Sequence, residues 1–404
     1  MSIYKLSAVY TRTAGSLLIK ALSKELWTAA LLFSFLFFSI GVTEEYVGSR
    51  ITKDTRWSAE ESPYIIERDL VIEKGASLTI QPGVTVIIKK PKIYEDTQQY
   101  DSADSQFVSI KVKGALNCIG RPNRRITFIT HKPQLNSYGW YGIVFDNAPD
   151  NFTEIAYTDI SNAFRGISVK QCSPVIRNLI LEYNHIGIYC SKNGNAKIYN
   201  CVITKNLVAG IHIREANPVI ANNIIAGNKN QGVLCDGLSN INFEYNCVFG
   251  NEDGNFLDCT PELGLIIPNR KDSTLKEDHA HNIYMDPVFS GSIAESIALE
   301  QDLSLPTSKS KVRDTTLANE YYSGTEIVQS IDSEQQNGKY QLSKYSPCKN
   351  RGSTEKELKN IDGSRNTMGI WGGPEYLIMK EKSEPKSQKA AKPSHGGKKA
   401  KSKH

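Results

Sequence analysis

The chain has 404 residues and a formal net charge of +5, enough length for a large core. The positive charge is concentrated at the termini: residues 380–404 hold nine Lys against two Glu, and residues 1–25 hold four basic residues against one Glu. The body between them is therefore net acidic, which argues against a general polyanion-binding body, nucleic acid included.

Residues 26–42, LWTAALLFSFLFFSIGV, are apolar or small and carry no charge. Lys20 and Lys24 precede the run and Glu44 and Glu45 follow it. This is the pattern of an export signal or a short membrane anchor, and the basic flank stays inside, so the remainder is expected outside the cytoplasm. Residues 1–42 are assigned to that segment.

The fold is expected to begin at residue 58. From Ser62, SPYIIERDLVIEKGASLTIQPGVTVIIKK reads as short strands broken by turns at Lys74-Gly75 and Pro82-Gly83. A polar loop, residues 91–106, interrupts the pattern before FVSIKVKGALNCIG and RRITFIT resume it.

Then a repeat appears, and the rest of the chain is organised around it. Gly142, Gly166, Gly187, Gly210 and Gly232 recur every 21 to 24 residues, and each line closes on an asparagine: Asn162, Asn184, Asn206, Asn228 and Asn251. After each glycine the pattern alternates. Ile143, Ile167, Ile188, Ile211 and Val233 form one apolar column, and Phe145, Val169, Cys190, Ile213 and Cys235 form the next. Two further short apolar runs follow in each line, among them Ile155, Ile176, Ile198 and Ile220, then Leu179-Ile180-Leu181, Val202-Ile203, Ile224-Ile225 and Cys247-Val248. Runs this short suit strands rather than helices. Three strands per repeat predict one coil of a single-stranded right-handed parallel β-helix, an all-β solenoid whose like residues stack at ~4.8 Å. Asparagine suits the corners, because it tolerates left-handed backbone and its amide can bond the next asparagine.

The solenoid is expected to occupy residues 58–289 in roughly eight to ten coils. Residues 290–338 are rich in Ser, Thr, Asp and Glu and read as a polar insertion, residues 339–379 as a closing segment on the C-terminal end, and residues 380–404 as a disordered Lys-rich tail. The eight cysteines read as small buried hydrophobes, since Cys190 and Cys235 stand in an inward column with Ile213 between them. No CxxC or Cys/His cluster gives a metal motif, and no cofactor motif is present. His185, His279 and His281 stand isolated, and Asn151-Phe152-Thr153 matches a glycosylation sequon.

Several of these stretches resemble secreted bacterial right-handed parallel β-helix proteins of the pectate-lyase-like group. DLVIEKGASLTIQPGVTVII is similar to their opening coils, GWYGIVF to a W-x-G-I coil, and DPVF, SPC and DGSRNTMGIWGGP to their closing segment. Lys349 and Asn350 stand where that segment usually carries an Asp. The resemblance implies the fold and export. It leaves activity open, since this architecture serves lyases, hydrolases, epimerases and adhesins.

Outward side chains of successive coils also stack. Asp146, Lys170, Ser191, Arg214 and Asp236 form one outward column; Val144, Ser168, Tyr189, His212 and Leu234 form the other. Asp146, Lys170, Tyr189, His212, Arg214 and Asp236 are the candidate binding residues, suited to an acidic polysaccharide, with Tyr189 stacking on a sugar ring and the cations holding carboxylates or hydroxyls. For a lyase, Lys170 or Arg214 is the candidate base and Tyr189 or His212 the acid. Hydrolysis needs two carboxylates ~5–9.5 Å apart. Asp146 and Asp236 are four coils apart, roughly 19 Å, and miss that window. The alternative for the same residues is an ion-pair ladder, Asp146 with Lys170 and Arg214 with Asp236. The expectation is a monomeric, extracytoplasmic polysaccharide-binding or scaffold protein, attached to the envelope through residues 26–42 or the basic tail. A polysaccharide lyase or hydrolase and a protein-binding adhesin are the alternatives.

Overall fold

A computed structural model describes residues 45–89, 107–131, 138–149, 153–237, 239–268, 273–292 and 338–374. The readings placed on residues 1–42, on the 91–106 loop, on the sequon residues Asn151 and Phe152, on nearly all of the 290–338 insertion and on the tail lie outside them.

Three parallel sheets, of nine, nine and eight strands, run from Glu45 to Leu257, and each sheet takes every third strand. Each coil therefore contributes one strand to each sheet, giving eight full coils and the start of a ninth. In the first coil the strands are Glu45–Tyr46, Arg50–Ile51 and Thr55–Trp57. The ninth has Cys247–Phe249 in sheet 1 and Gly254–Leu257 in sheet 2.

Both expected boundaries shift. A full coil precedes residue 58, because strands of two and three residues are too short to show alternation in sequence. The regular coils end at Leu257 instead of residue 289. Beyond them the chain makes a short antiparallel pair, Ile267–Pro268 with Lys276–Glu277, and Ile283 then lies parallel to Cys247.

The repeat register holds. Ile143, Ile167, Ile188, Ile211 and Val233 are successive partners in sheet 2, as are Phe145, Val169, Cys190, Ile213 and Cys235. Ile155, Ile176, Ile198, Ile220 and Phe243 stack in sheet 3. These residues fill one continuous apolar interior. Burying each isoleucine contributes about 2–3 kcal/mol, which together opposes the ordering entropy of the coils.

Two asparagine ladders hold the corners. Between sheets 1 and 2, the Oδ1 of Asn206 accepts from the backbone N of Asn184 at 3.1 Å and from its Nδ2 at 3.2 Å; Asn228 and Asn251 continue the pattern. Asn162 is not a rung. Asn184 accepts instead from the backbone N of Ala163, and Asn162 sits one residue earlier in left-handed backbone, in register with Tyr183, Lys205, Gly227 and Gly250. The repeat glycines complete this corner: a Cβ on Gly187 would lie 2.5 Å from the Gly210 carbonyl oxygen and 3.2 Å from Asn206 Nδ2. The second ladder, Asn223, Asn246 and Asn282, turns the chain from sheet 3 into sheet 1 and was not expected.

The closing segment does not cap the end of the solenoid. It lies along the outer side of sheet 1, where Ile180, Val202, Ile224 and Cys247 point outward and form a second apolar cluster with Leu342, Cys348, Met368 and Ile370. Asn178 donates to the carbonyls of Ile370 and Gly372, Asn200 to that of Thr367, and Asn222 accepts from the backbone N of Ser353. Glu182 receives Tyr340 Oη at 2.6 Å and forms ion pairs with Lys339 and Lys205. The Glu182 carboxyl is buried, which alone would raise it, but the two ammonium groups hold it below the ordinary carboxylate range. At the end of the solenoid Cys259, Leu263 and Tyr284 pack against the interior beside Phe256 of the last strand.

Candidate functional site

Sheet 2 carries the candidate strip. Val144, Ser168, Tyr189, His212 and Leu234 are neighbours along one outward column, and Asp146, Lys170, Ser191, Arg214 and Asp236 along the other. Period-two alternation, with an apolar residue at every inward position, is what turns these ten side chains outward.

The strip divides into two groups. At one end Lys170 Nζ is 3.2 Å from Asp146. At the other, Asp236 takes His212 Nε2 at 3.0 Å and Arg214 Nε at 3.7 Å. Tyr189 meets the His212 ring edge-on, with centroids 4.9 Å apart. Both ion pairs of the ladder reading are present. Both lie on partly exposed side chains, where such pairs contribute ~0–1 kcal/mol. Asp146 and Asp236 stand at opposite ends of the five-strand register.

The residue that joins the strip to its surroundings is Arg165, which the sequence reading missed. Its guanidinium lies 3.9 Å from the centroid of the Tyr189 ring, and its Nη1 donates to Tyr141 Oη at 3.0 Å. Arg165 thus occupies a ring face of Tyr189 that had been reserved for a sugar. Beside it, Phe164 stacks on His185 at 4.9 Å, and Tyr138 packs against both at 5.1 and 5.4 Å. His185 is therefore part of an aromatic group. His281, also read as isolated, stacks on Tyr245 at 5.1 Å. Phe164 and Arg165 precede the repeat glycine Gly166 and so lie outside the alternation that marks the outward columns.

Electrostatics single out the same place. Lys111 pairs with Asp69 at 2.7 Å, Lys170 with Asp146 and Arg214 with Asp236. Among the described residues Arg165 has no carboxylate partner, and its buried Nε and the buried Ser168 Oγ meet no hydrogen-bond acceptor or donor. Burial lowers the pKa of His212, and the nearby Arg165 and Arg214 add to this, outweighing the opposing pull of Asp236. His212 is therefore neutral near pH 7 and is hydrogen-bonded to Asp236, not ion-paired with it. Burial and Arg165 likewise lower His185.

Among the described residues no group of three or more His, Cys, Asp or Glu is placed to hold a metal ion, and no helix is long and apolar enough to cross a membrane. A separate concavity of about 300 Å³ lies at the first coils, lined by Arg50, Lys53, Arg56 and Glu61. Its aromatic rings, Trp57 and Tyr64, stack on each other at 4.6 Å.

A family model described as "Right handed beta helix region" matches residues 123–264, the span that holds the repeat and the strip. With the three-sheet coils, this makes the chain a right-handed parallel β-helix protein. No curated protein and no solved structure matches it.

Proposed function

We propose that the protein is an exported β-helix that binds an acidic polysaccharide on the outer face of sheet 2 without cleaving it. The observation that carries this reading is Arg165. Among the described residues it is the cation beside the strip left without a carboxylate, it is fixed between Tyr189 and Tyr141, and it borders the Phe164, His185 and Tyr138 rings. A sugar carboxylate against Arg165, with a pyranose edge on the aromatic group, would use the charge-assisted and stacking contacts that acidic glycans offer. The solenoid would present several such contacts along one glycan chain. Export rests on the apolar run at residues 26–42 with its basic flank.

A glycan array tests the reading, followed by incubation with each retained glycan and sizing of the products. The expected result is retention of uronate- or sulfate-bearing glycans at unchanged length. Retention of no glycan, together with capture of a protein partner, would replace the reading with an adhesin.

One observation favours a lyase as the second reading. His212 is neutral, is oriented by Asp236 and lies against Tyr189, so a base and a hydroxyl acid stand side by side. Shortened products with unsaturated, ultraviolet-absorbing ends would establish it.

A further inference from the structure

All eight cysteines are free thiols in the structure, and seven are buried. Two of them lie where distant parts of the chain meet. Cys247 begins the last strand of sheet 1 and its Sγ donates to the Met285 carbonyl at 3.3 Å. Cys348 arrives with the closing segment. Its backbone N donates to Ser346 Oγ at 3.1 Å, and that hydroxyl donates to the Pro287 carbonyl at 2.5 Å. Residues 285–287 thus anchor both cysteines from one side. On the other, Met368 N donates to the Cys348 carbonyl at 3.1 Å. Both side chains are fully buried in the apolar cluster that joins sheet 1 to the closing segment, and the Cys348 thiol lies close enough to raise that of Cys247.

We propose that Cys247 and Cys348 form a disulfide that staples the closing segment to the coils when the protein folds under oxidising conditions. The inference rests on this packing and is independent of the glycan reading. The reaction needs a disulfide donor, a small-molecule disulfide or a dithiol oxidoreductase. The Cys348 thiolate attacks the donor disulfide and releases one donor thiolate. The Cys247 thiolate then attacks Cys348 Sγ, forming the new S–S bond and expelling the second donor thiolate. Two protons leave the protein, the two cysteines are oxidised, and the donor is reduced to two thiols.

The order of events follows from the surroundings. The Cys348 contact and burial raise the Cys247 thiol far above its ordinary value, so little thiolate forms once the cluster is closed. Exchange therefore takes place while the closing segment is still docking. Afterwards the bond is sealed from reductants. The two residues are roughly a hundred apart in sequence, so the cross-link restricts a long loop of the unfolded chain.

Cys348 is the last cysteine of the chain, which makes the test direct. A site-specific protease sequence is inserted in the full chain between residues 292 and 338. The reduced, denatured protein is refolded in a mixture of reduced and oxidised glutathione, cleaved, and denatured with and without reductant. The expected result is one covalently joined species that separates into two fragments only with reductant, and a peptide map that links Cys247 to Cys348. Two fragments without reductant would overturn the proposal, as would a map that links Cys348 to another cysteine. In the Cys348→Ser variant the joined species should be lost completely; its persistence would also overturn the assignment.

Discussion

Arg165 and Tyr189 lie on adjacent coils, and the guanidinium of the first sits 3.9 Å from the ring centroid of the second. The pair fixes a cation on the outer face of sheet 2 without neutralising it, since an aromatic ring attracts the guanidinium but leaves its outer edge able to donate. Arg165→Ala is expected to lower retention of acidic glycans by about tenfold, a loss of ~1.4 kcal/mol. Arg165→Lys should recover only part of it, because an ammonium cannot bridge Tyr141 and a carboxylate in one plane. Affinity electrophoresis of both variants checks this, with the melting temperature confirming the fold.

The corner ladder predicts a site-dependent cost. Asn206 accepts twice from Asn184 and donates to Asn228 and to the Leu181 carbonyl. Asn206→Ala leaves several buried groups unmatched and is expected to cost about 3 kcal/mol. Asn162→Ala removes no rung of the ladder and is expected to cost less than Asn206→Ala, by about 1–2 kcal/mol. Denaturant unfolding of the two variants separates them.

Acidification should destabilise the protein through its imidazoles. His185 and His212 are held below their ordinary value of 6.5. Just below that pH the unfolded chain binds the more protons, so the contribution of the neutral imidazoles is complete above about pH 6.5 and is lost as pH falls to the folded values. The His212→Gln variant should show a shallower loss between pH 7 and 5 in thermal denaturation. An unchanged slope would mean that His212 does not contribute.

A second acid effect concerns the closing segment. Glu182 is held below its ordinary value of 4.5 by Lys339 and Lys205. Its contribution is present above the ordinary carboxylate range and disappears as pH falls through the lower, folded value. Glu182→Gln is expected to weaken docking of the closing segment by about 2 kcal/mol, less than a fully buried pair would lose because Lys339 is partly exposed. Proteolysis beyond residue 338 should accelerate while the coils stay resistant.

Export is checked by fractionation with and without residues 1–42. The full chain should appear outside the cytoplasmic membrane and the truncated chain in the cytosol. The same cytosolic location for both would remove the premise of an extracytoplasmic ligand.

The interior was legible because each coil repeats its chemistry in register. Ile167, Ile188, Ile211 and Val233 announce one another, and the glycine that precedes each has a steric cause in the neighbouring coil. The placement of the closing segment was legible only in part. Ile180, Val202 and Ile224 stand next to inward residues Leu181, Ile203 and Ile225, and such adjacent apolar pairs mark a sheet covered on both faces. That signal is present in the sequence, but short apolar runs also suit strands covered on one face. The strip was readable as two columns, since alternation fixes which side chains face out. Arg165 was not, because its role depends on a ring one coil away and on the carboxylates that every other cation of the strip had already met.

The strap over sheet 1 changes how the molecule comes apart. In a bare solenoid each coil is coupled only to the next, so the array can fray one repeat at a time from either end. Here Asn178, Asn200 and Asn222 on three successive coils are bonded to one return segment, and Ile180, Val202, Ile224 and Cys247 are packed beneath it. No one of these coils can open without disturbing contacts made by its neighbours two steps away. The strapped coils are therefore expected to open together as one cooperative block, and the coils before Arg165 stepwise, as in an ordinary array.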